Sequence, residues 1–188
     1  DGPLTQARTV ALAAHKLGGP KGVGALYVRR GTAIRPLLPG GKQEDGRRSG
    51  THAVAAIAAF GAAAGSARDP RVVAALRDRL EAGLVAEGAK VHGAPEPRLP
   101  NTCNAALTAA DGTWADAEAL MLALARDGVA VSTGAACAQG SRKPSAVLTA
   151  MGVSAHEAAA TLRLSLGDGN TEAEVDRVLA VLHQLRHA

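Results

Sequence analysis

The hydrophobic pattern opens with Thr9, Val10, Ala11, Leu12 and Ala13, a run that predicts a short strand over 9–13. It leads directly into the polar pair His15-Lys16 and a glycine-rich turn over 18–22. A second strand is expected over 23–29, with Ala25, Tyr27 and Arg29 on one face. Residues 40–51 are polar and carry glycines, which is long for a simple connection, and long ordered loops are often functional. The pattern over 52–65 predicts a buried, nearly all-alanine helix. Asp69-Pro70 then opens an amphipathic helix in which Val72, Val73, Leu76, Leu80 and Leu84 recur at helical spacing.

Further along, strands are expected near 90–92 and over 102–107, separated by the turn-rich stretch 93–98. A helix over 114–127 points Leu120, Met121 and Leu124 inward and closes at Gly128. Residues 129–132 read as strand-like, 133–143 as a small-residue loop containing Cys137, and Pro144 as the first position of a short helix. A last strand over 161–166 precedes a closing helix over 171–185, whose Glu174 stands three residues after Thr171 in the spacing of a capping box. The succession predicts an α/β chain in two parts, 1–65 and 66–188, with no internal repeat.

Composition agrees with that class. Apolar residues make up 47% of the 188, yet only one Trp, one Tyr and one Phe are present, so small side chains must pack the helices closely on a sheet. The formal charge of +4 is scattered: Arg29-Arg30 and Arg47-Arg48 are pairs, not a stripe. With almost no aromatic rings for stacking, nucleic-acid binding is not expected, and an anionic small molecule or phosphate is the milder inference. There is no secretory pattern and no apolar run long enough for a bilayer, so no membrane partner is expected. Cys103 and Cys137 lie far apart, which argues against a disulfide framework or a Cys-based metal site. No metal is expected, and a reducing cytoplasmic setting is the natural one.

Three polar islands interrupt the apolar background. His15-Lys16 ends a strand before a glycine-rich turn; Lys16 is either a surface lysine or an amine able to form a Schiff base. Cys137 sits among small residues in Gly134-Ala135-Ala136-Cys137-Ala138-Gln139-Gly140, so it is either a free loop thiol or an accessible nucleophile. Cys103, within a strand pattern, reads instead as a small buried hydrophobe. Arg163 interrupts the strand Thr161-Leu162-Arg163-Leu164-Ser165-Leu166; it is either an exposed edge-strand residue or a two-pronged partner for a carboxylate.

Five segments in order resemble cysteine desulfurases of the NifS and IscS type, within the class V aminotransferase family. They are Ala14-His15-Lys16-Leu17-Gly18-Gly19-Pro20-Lys21-Gly22, Gly40-Gly41-Lys42-Gln43-Glu44-Asp45-Gly46-Arg47-Arg48-Ser49-Gly50-Thr51, Arg98-Leu99-Pro100-Asn101-Thr102, Ser132-Thr133-Gly134-Ala135-Ala136-Cys137 and Arg163-Leu164-Ser165-Leu166-Gly167. The resemblance implies a PLP-dependent transferase of fold-type I: the end of the large domain over 1–65, then the small C-terminal α/β domain carrying the cysteine loop. It implies that Lys16 holds pyridoxal 5'-phosphate, that His15 lies near the cofactor phosphate, and that Thr51 reaches the phosphate in the neighbouring subunit of a homodimer. Arg163 is implied to bind the α-carboxylate of L-cysteine. Cys137 is implied to accept its sulfur as a persulfide, for delivery to a scaffold or other acceptor protein in iron–sulfur cluster or thiolation pathways. The rivals are a selenocysteine lyase and a non-catalytic interaction or regulatory chain that retains the fold.

The sequence also departs from the family pattern. Ala13 stands where a phosphate-contacting serine is usual, and Lys42 and Asp45 replace residues that are commonly glycine and arginine. The long N-terminal half of the family, with its stacking histidine and its aspartate for the pyridine nitrogen, is not recognisable. The expectation is therefore a fragment, a cleaved chain or one half of a split enzyme.

Overall fold

The computed structural model describes residues 6–66, 69–93, 95–133 and 145–187. The chain divides into two compact units, Asp1–Arg68 and Asp69–Ala188.

In the first unit, β1 (Thr9–Ala13) pairs antiparallel with β2 (Gly24–Val28), from Thr9 opposite Val28 to Ala13 opposite Gly24. Gly24 is required by this register, because a Cβ there would stand 2.5 Å from the Leu12 carbonyl oxygen. β1 runs into a 3-10 turn over Ala14–Leu17, closed by Gly18 at φ 77°. That left-handed backbone favours glycine and ends the turn abruptly. The polar loop is tied down where Ser49 Oγ donates to the carbonyls of Leu38 (2.9 Å) and Pro39 (3.1 Å). It leads into α1 (Val54–Gly65).

The sequence pattern predicts a buried α1, and the structure corrects this: none of its residues is buried. Among the described residues of the unit, only Ala14 is buried. A two-stranded sheet offers too little apolar surface to cover a helix that is hydrophobic on every side.

The second unit is an antiparallel four-stranded sheet in the order β3-β4-β6-β5, formed by β3 (Lys90–Val91), β4 (Thr102–Ala106), β5 (Ser132–Thr133) and β6 (Thr161–Ser165). Three helices supply most of its core: α2 (Pro70–Ala86), α3 (Ala117–Arg126) and α6 (Glu172–His187). Leu76, Leu80 and Leu84 of α2 meet Leu124, Val175 and Leu182 over the sheet residues Cys103, Ala105, Leu162 and Leu164. Val72, expected on the same stripe, is 63% exposed. Asp69 caps α2 by accepting from the Arg71 amide, and Pro70 stands at its first position, where a missing N–H costs nothing.

The helix expected from Trp114 begins at Ala117, because Asp116 accepts from the Glu118 and Ala119 amides and so sets the start. Trp114 instead bridges to Thr108. Two short helices, α4 (Ala146–Ala150) and α5 (Ala155–Ala159), precede β6; the first is capped by Ser145, and the second is absent from the sequence reading. No helix among the described residues is long and apolar enough to cross a membrane.

Candidate active site

Lys16 and His15 occupy the 3-10 turn at the end of β1, and both are exposed. The turn is stiff despite its exposure. Ala14 is fully buried beneath it, the Gly19 amide donates to the Ala14 carbonyl at 2.9 Å, and the Ala14 amide donates to the Val23 carbonyl. A Cβ on Gly19 would come within 3.3 Å of both Ala14 and Ala63, so glycine lets α1 lie close against the turn. Among the described residues, no side chain hydrogen-bonds or ion-pairs with the Lys16 ammonium. It is presented to solvent on an ordered backbone.

Thr51, also exposed, stands three positions before the start of α1, whereas Ala63 beside Gly19 is near the other end of that helix. About 13 Å of helix separates Val54 from Ala63 at 1.5 Å per residue. The first unit thus holds His15 and Lys16 side by side and sets Thr51 before the far end of α1.

Arg163 lies at the middle of β6, flanked by the buried Leu162 and Leu164, which point into the core. β6 has β4 on one side and β5 on the other, so the edge-strand reading of Arg163 is corrected: the strand is interior. Successive residues of a strand face opposite sides, so Arg163 stands on the face away from those leucines. Its cross-strand partners are Asn104 of β4 and Ser132 of β5, and Arg163 Nη2 donates to Ser132 Oγ at 3.4 Å. Half-buried between a serine and an amide, the guanidinium keeps N–H groups for an anionic partner.

β5 is also the strand that enters the cysteine segment, since Cys137 follows Thr133 by four positions. Cys137 itself lies outside the described residues. Cys103, on the core face opposite Leu164, is fully buried, and burial pushes its thiol up to about 12. A thiol so held is a packing residue and a poor nucleophile.

The face that carries Arg163 also holds a polar cluster that sequence reasoning missed. His92 Nε2 donates to Glu157 Oε1 at 2.8 Å, and His92 Nδ1 lies 3.0 Å from Asn104 Oδ1. Lys90 Nζ reaches the same Glu157 oxygen at 2.7 Å, and Thr161 Oγ1 donates to the Glu157 carbonyl. The Lys90 and His92 contacts hold the Glu157 carboxyl below its ordinary range. The cluster fixes Asn104, which sits directly across from Arg163. At the other end of β6, Asn101 Nδ2 donates to the Leu166 carbonyl, and the Leu166 amide donates to the Asn101 carbonyl. Arg98 is spent on structure, donating to Glu81 and to the Thr102 carbonyl.

The second unit thus presents an arginine on an interior antiparallel strand, and the first presents, on the turn after β1, a lysine with no side-chain partner among the described residues. The aminotransferase class-V family model matches residues 5–178, and the chain belongs to that family. Its fold is accordingly that of PLP-dependent transferases of fold-type I.

A cysteine desulfurase of Rhodobacter capsulatus is 46% identical over 187 residues, covering 96% of this chain and 47% of that protein. A solved NifS-like protein superposes with a TM-score of 0.78 at 34% identity, over 96% of this chain and 46% of that one. SspA, solved in complex with cysteine, gives a TM-score of 0.63 at 31% identity over 85% of this chain and 44% of its own. The chain spans about half the length of the curated relatives it matches.

The family uses pyridoxal phosphate. The donors of the Lys16 turn fit that group: a primary amine at Lys16 with no partner among the described residues, suited to its aldehyde, and an adjacent imidazole at His15.

Proposed function

We propose that the complete protein is a pyridoxal-phosphate-dependent cysteine desulfurase that converts L-cysteine to L-alanine and loads the sulfur on Cys137. The observation that carries this reading is the β5–β6 register. It sets Ser132, on the strand that leads to Cys137, directly opposite Arg163. A carboxylate receptor and the entry to the thiol-bearing segment are thereby neighbours within one unit.

The roles follow from the residues. Arg163 orients the substrate through its α-carboxylate by two parallel N–H···O bonds. Lys16 anchors the cofactor through its amine and, once freed, carries the α-proton. His15 lies near the cofactor phosphate. When bound, pyridoxal phosphate supplies the electron withdrawal that loosens bonds at the substrate's α-carbon. Cys137 attacks the substrate sulfur as thiolate; an S–S bond forms, the substrate Cβ–S bond breaks, and the carbon fragment takes up a proton to leave as alanine.

Thr51 serves the phosphate of a second subunit in a homodimer; its place before the far end of α1 from the Lys16 turn supports that division of labour. The remaining half of the family fold covers α1 and the outer surface of the β1–β2 hairpin, which are apolar and exposed here. The persulfide passes to an acceptor protein of iron–sulfur cluster assembly or thiolation, in the cytoplasm.

The test uses the complete protein. Pyridoxal phosphate gives an absorption band near the visible edge that Lys16→Ala abolishes, and cysteine yields alanine with one added sulfur on Cys137 by mass spectrometry. A band without persulfide or sulfide refutes desulfuration, and added sulfur mapped to Cys103 refutes the nucleophile.

A further inference from the structure

Away from the residues of the proposed reaction, the second unit carries an unassigned cluster at the end of its closing helix. His183 and His187 are four residues apart on α6, so they project from one helical face, the spacing by which helical histidine pairs hold zinc. Glu87, the C-cap residue of α2, faces them. His183 Nδ1 is 3.0 Å from Glu87 Oε1, and His187 Nε2 is 3.9 Å from Glu87 Oε2. One ligand atom from each of the three residues lies within 4.8 Å of the others.

A tetrahedral cation with bonds of 2.0–2.1 Å sets its ligands roughly 3.3 Å apart. Ligand atoms within 4.8 Å of one another can close to that value by small side-chain rotations, and both imidazoles are half-exposed and so free to adjust. The helix ends favour a cation, which must share the Glu87 carboxylate with the neighbouring Arg186 guanidinium. α2 and α6 both end here, and helix C-termini carry partial negative charge. Arg186 steadies Glu87, donating to its backbone carbonyl and lying 3.4 Å from Oε2, as a ligating carboxylate is usually held by a further partner.

We propose that Glu87, His183 and His187 form a binding site for a divalent transition-metal cation of the zinc type, which clips the end of α6 to the end of α2. Two imidazoles and one carboxylate suit zinc, nickel or copper and disfavour magnesium and calcium, which prefer all-oxygen sets. The fourth position is left to water. The site uses neither Lys16, Cys137 nor Arg163, so it stands whether or not desulfuration is the reaction.

The experiment is calorimetric titration of Zn2+ into the complete protein carrying Cys137→Ser, which removes the competing thiol. One ion binds per chain and raises the thermal midpoint. His183→Ala and His187→Ala each weaken binding by about tenfold or more and abolish the midpoint shift. Glu87→Gln weakens it too, while His156→Ala, an exposed histidine elsewhere in the unit, changes nothing. Excess Mg2+ does not compete. Circular dichroism verifies folding, and His187→Gln replaces any alanine variant that fails to fold. Absence of binding, binding only at millimolar zinc, or unchanged binding in the His183→Ala/His187→Ala double variant overturns the proposal.

Discussion

Glu157 is the residue on which the polar face of the second sheet turns. Its carboxyl is pulled below its ordinary value of 4.5, first by the Lys90 contact and then by His92, against an opposing push from desolvation. A carboxyl with a depressed native pKa contributes stability that is complete above the unfolded value and is lost as pH falls through the native one. Stability of this unit is therefore expected to decline from about pH 4.5 downward. Glu157→Gln costs about 1–3 kcal/mol at pH 7 by weakening a largely buried network. That difference shrinks at acid pH, where the wild-type carboxyl is itself protonated. Urea midpoints of both proteins at pH 7 and below pH 4 measure it; a gap independent of pH contradicts the assignment. Because the cluster also fixes Asn104 opposite Arg163, Glu157→Gln is expected, in the desulfuration proposed for the complete protein, to raise the KM for cysteine more than it lowers kcat.

At the scale of elements, α6 shows how a short signal sets a boundary. Glu174 accepts from the Thr171 amide at 2.9 Å while the Glu174 amide donates to Thr171 Oγ1 at 3.3 Å, so both ends of the capping box are made. Thr171→Ala is expected to cost about 1 kcal/mol, and Leu84→Ala, whose side chain is fully enclosed, about 2–5 kcal/mol; denaturant titration ranks the two. This box and the strand over Thr9–Ala13 were legible because their signals are local. α5 was not, since its five residues carry only a Ser154 cap and too short a run for periodicity to register. Lys16 and Arg163 are candidates through the order of motifs along the chain. Ser132 and Asn104, by contrast, became visible only through cross-strand register, which joins positions 31 and 59 residues from Arg163. Nor does sequence spacing bring Glu87 to His183, 96 residues away.

For the molecule as a whole, the contrast between the two units is the dominant fact. The second has a closed core of leucines over its sheet. The first leaves Leu12, Leu26, Tyr27, Leu37 and Ile57 exposed and buries only Ala14 among its described residues. Burial of apolar area is the main favourable term in folding. In the 188-residue chain alone, backbone amides of β1, β2 and α1 are expected to exchange with deuterium well before those of β4 and β6, as mass spectrometry resolves. Co-expression with the rest of the family fold should slow exchange in the first unit selectively. Equal protection of both units in the isolated chain contradicts this division.

The outermost strands of the second unit, Lys90–Val91 and Ser132–Thr133, are only two residues long. Edges this brief give a neighbouring molecule almost no ladder of free N–H and C=O groups to extend, and a lysine marks one of them. Sheet-to-sheet polymerisation is thereby suppressed at both flanks. Residues 69–188 are accordingly expected to stay monodisperse by light scattering at concentrations where the 188-residue chain, with its exposed apolar first unit, is expected to self-associate. That makes them the practical carrier for crystallography or solution spectroscopy of the Arg163 face.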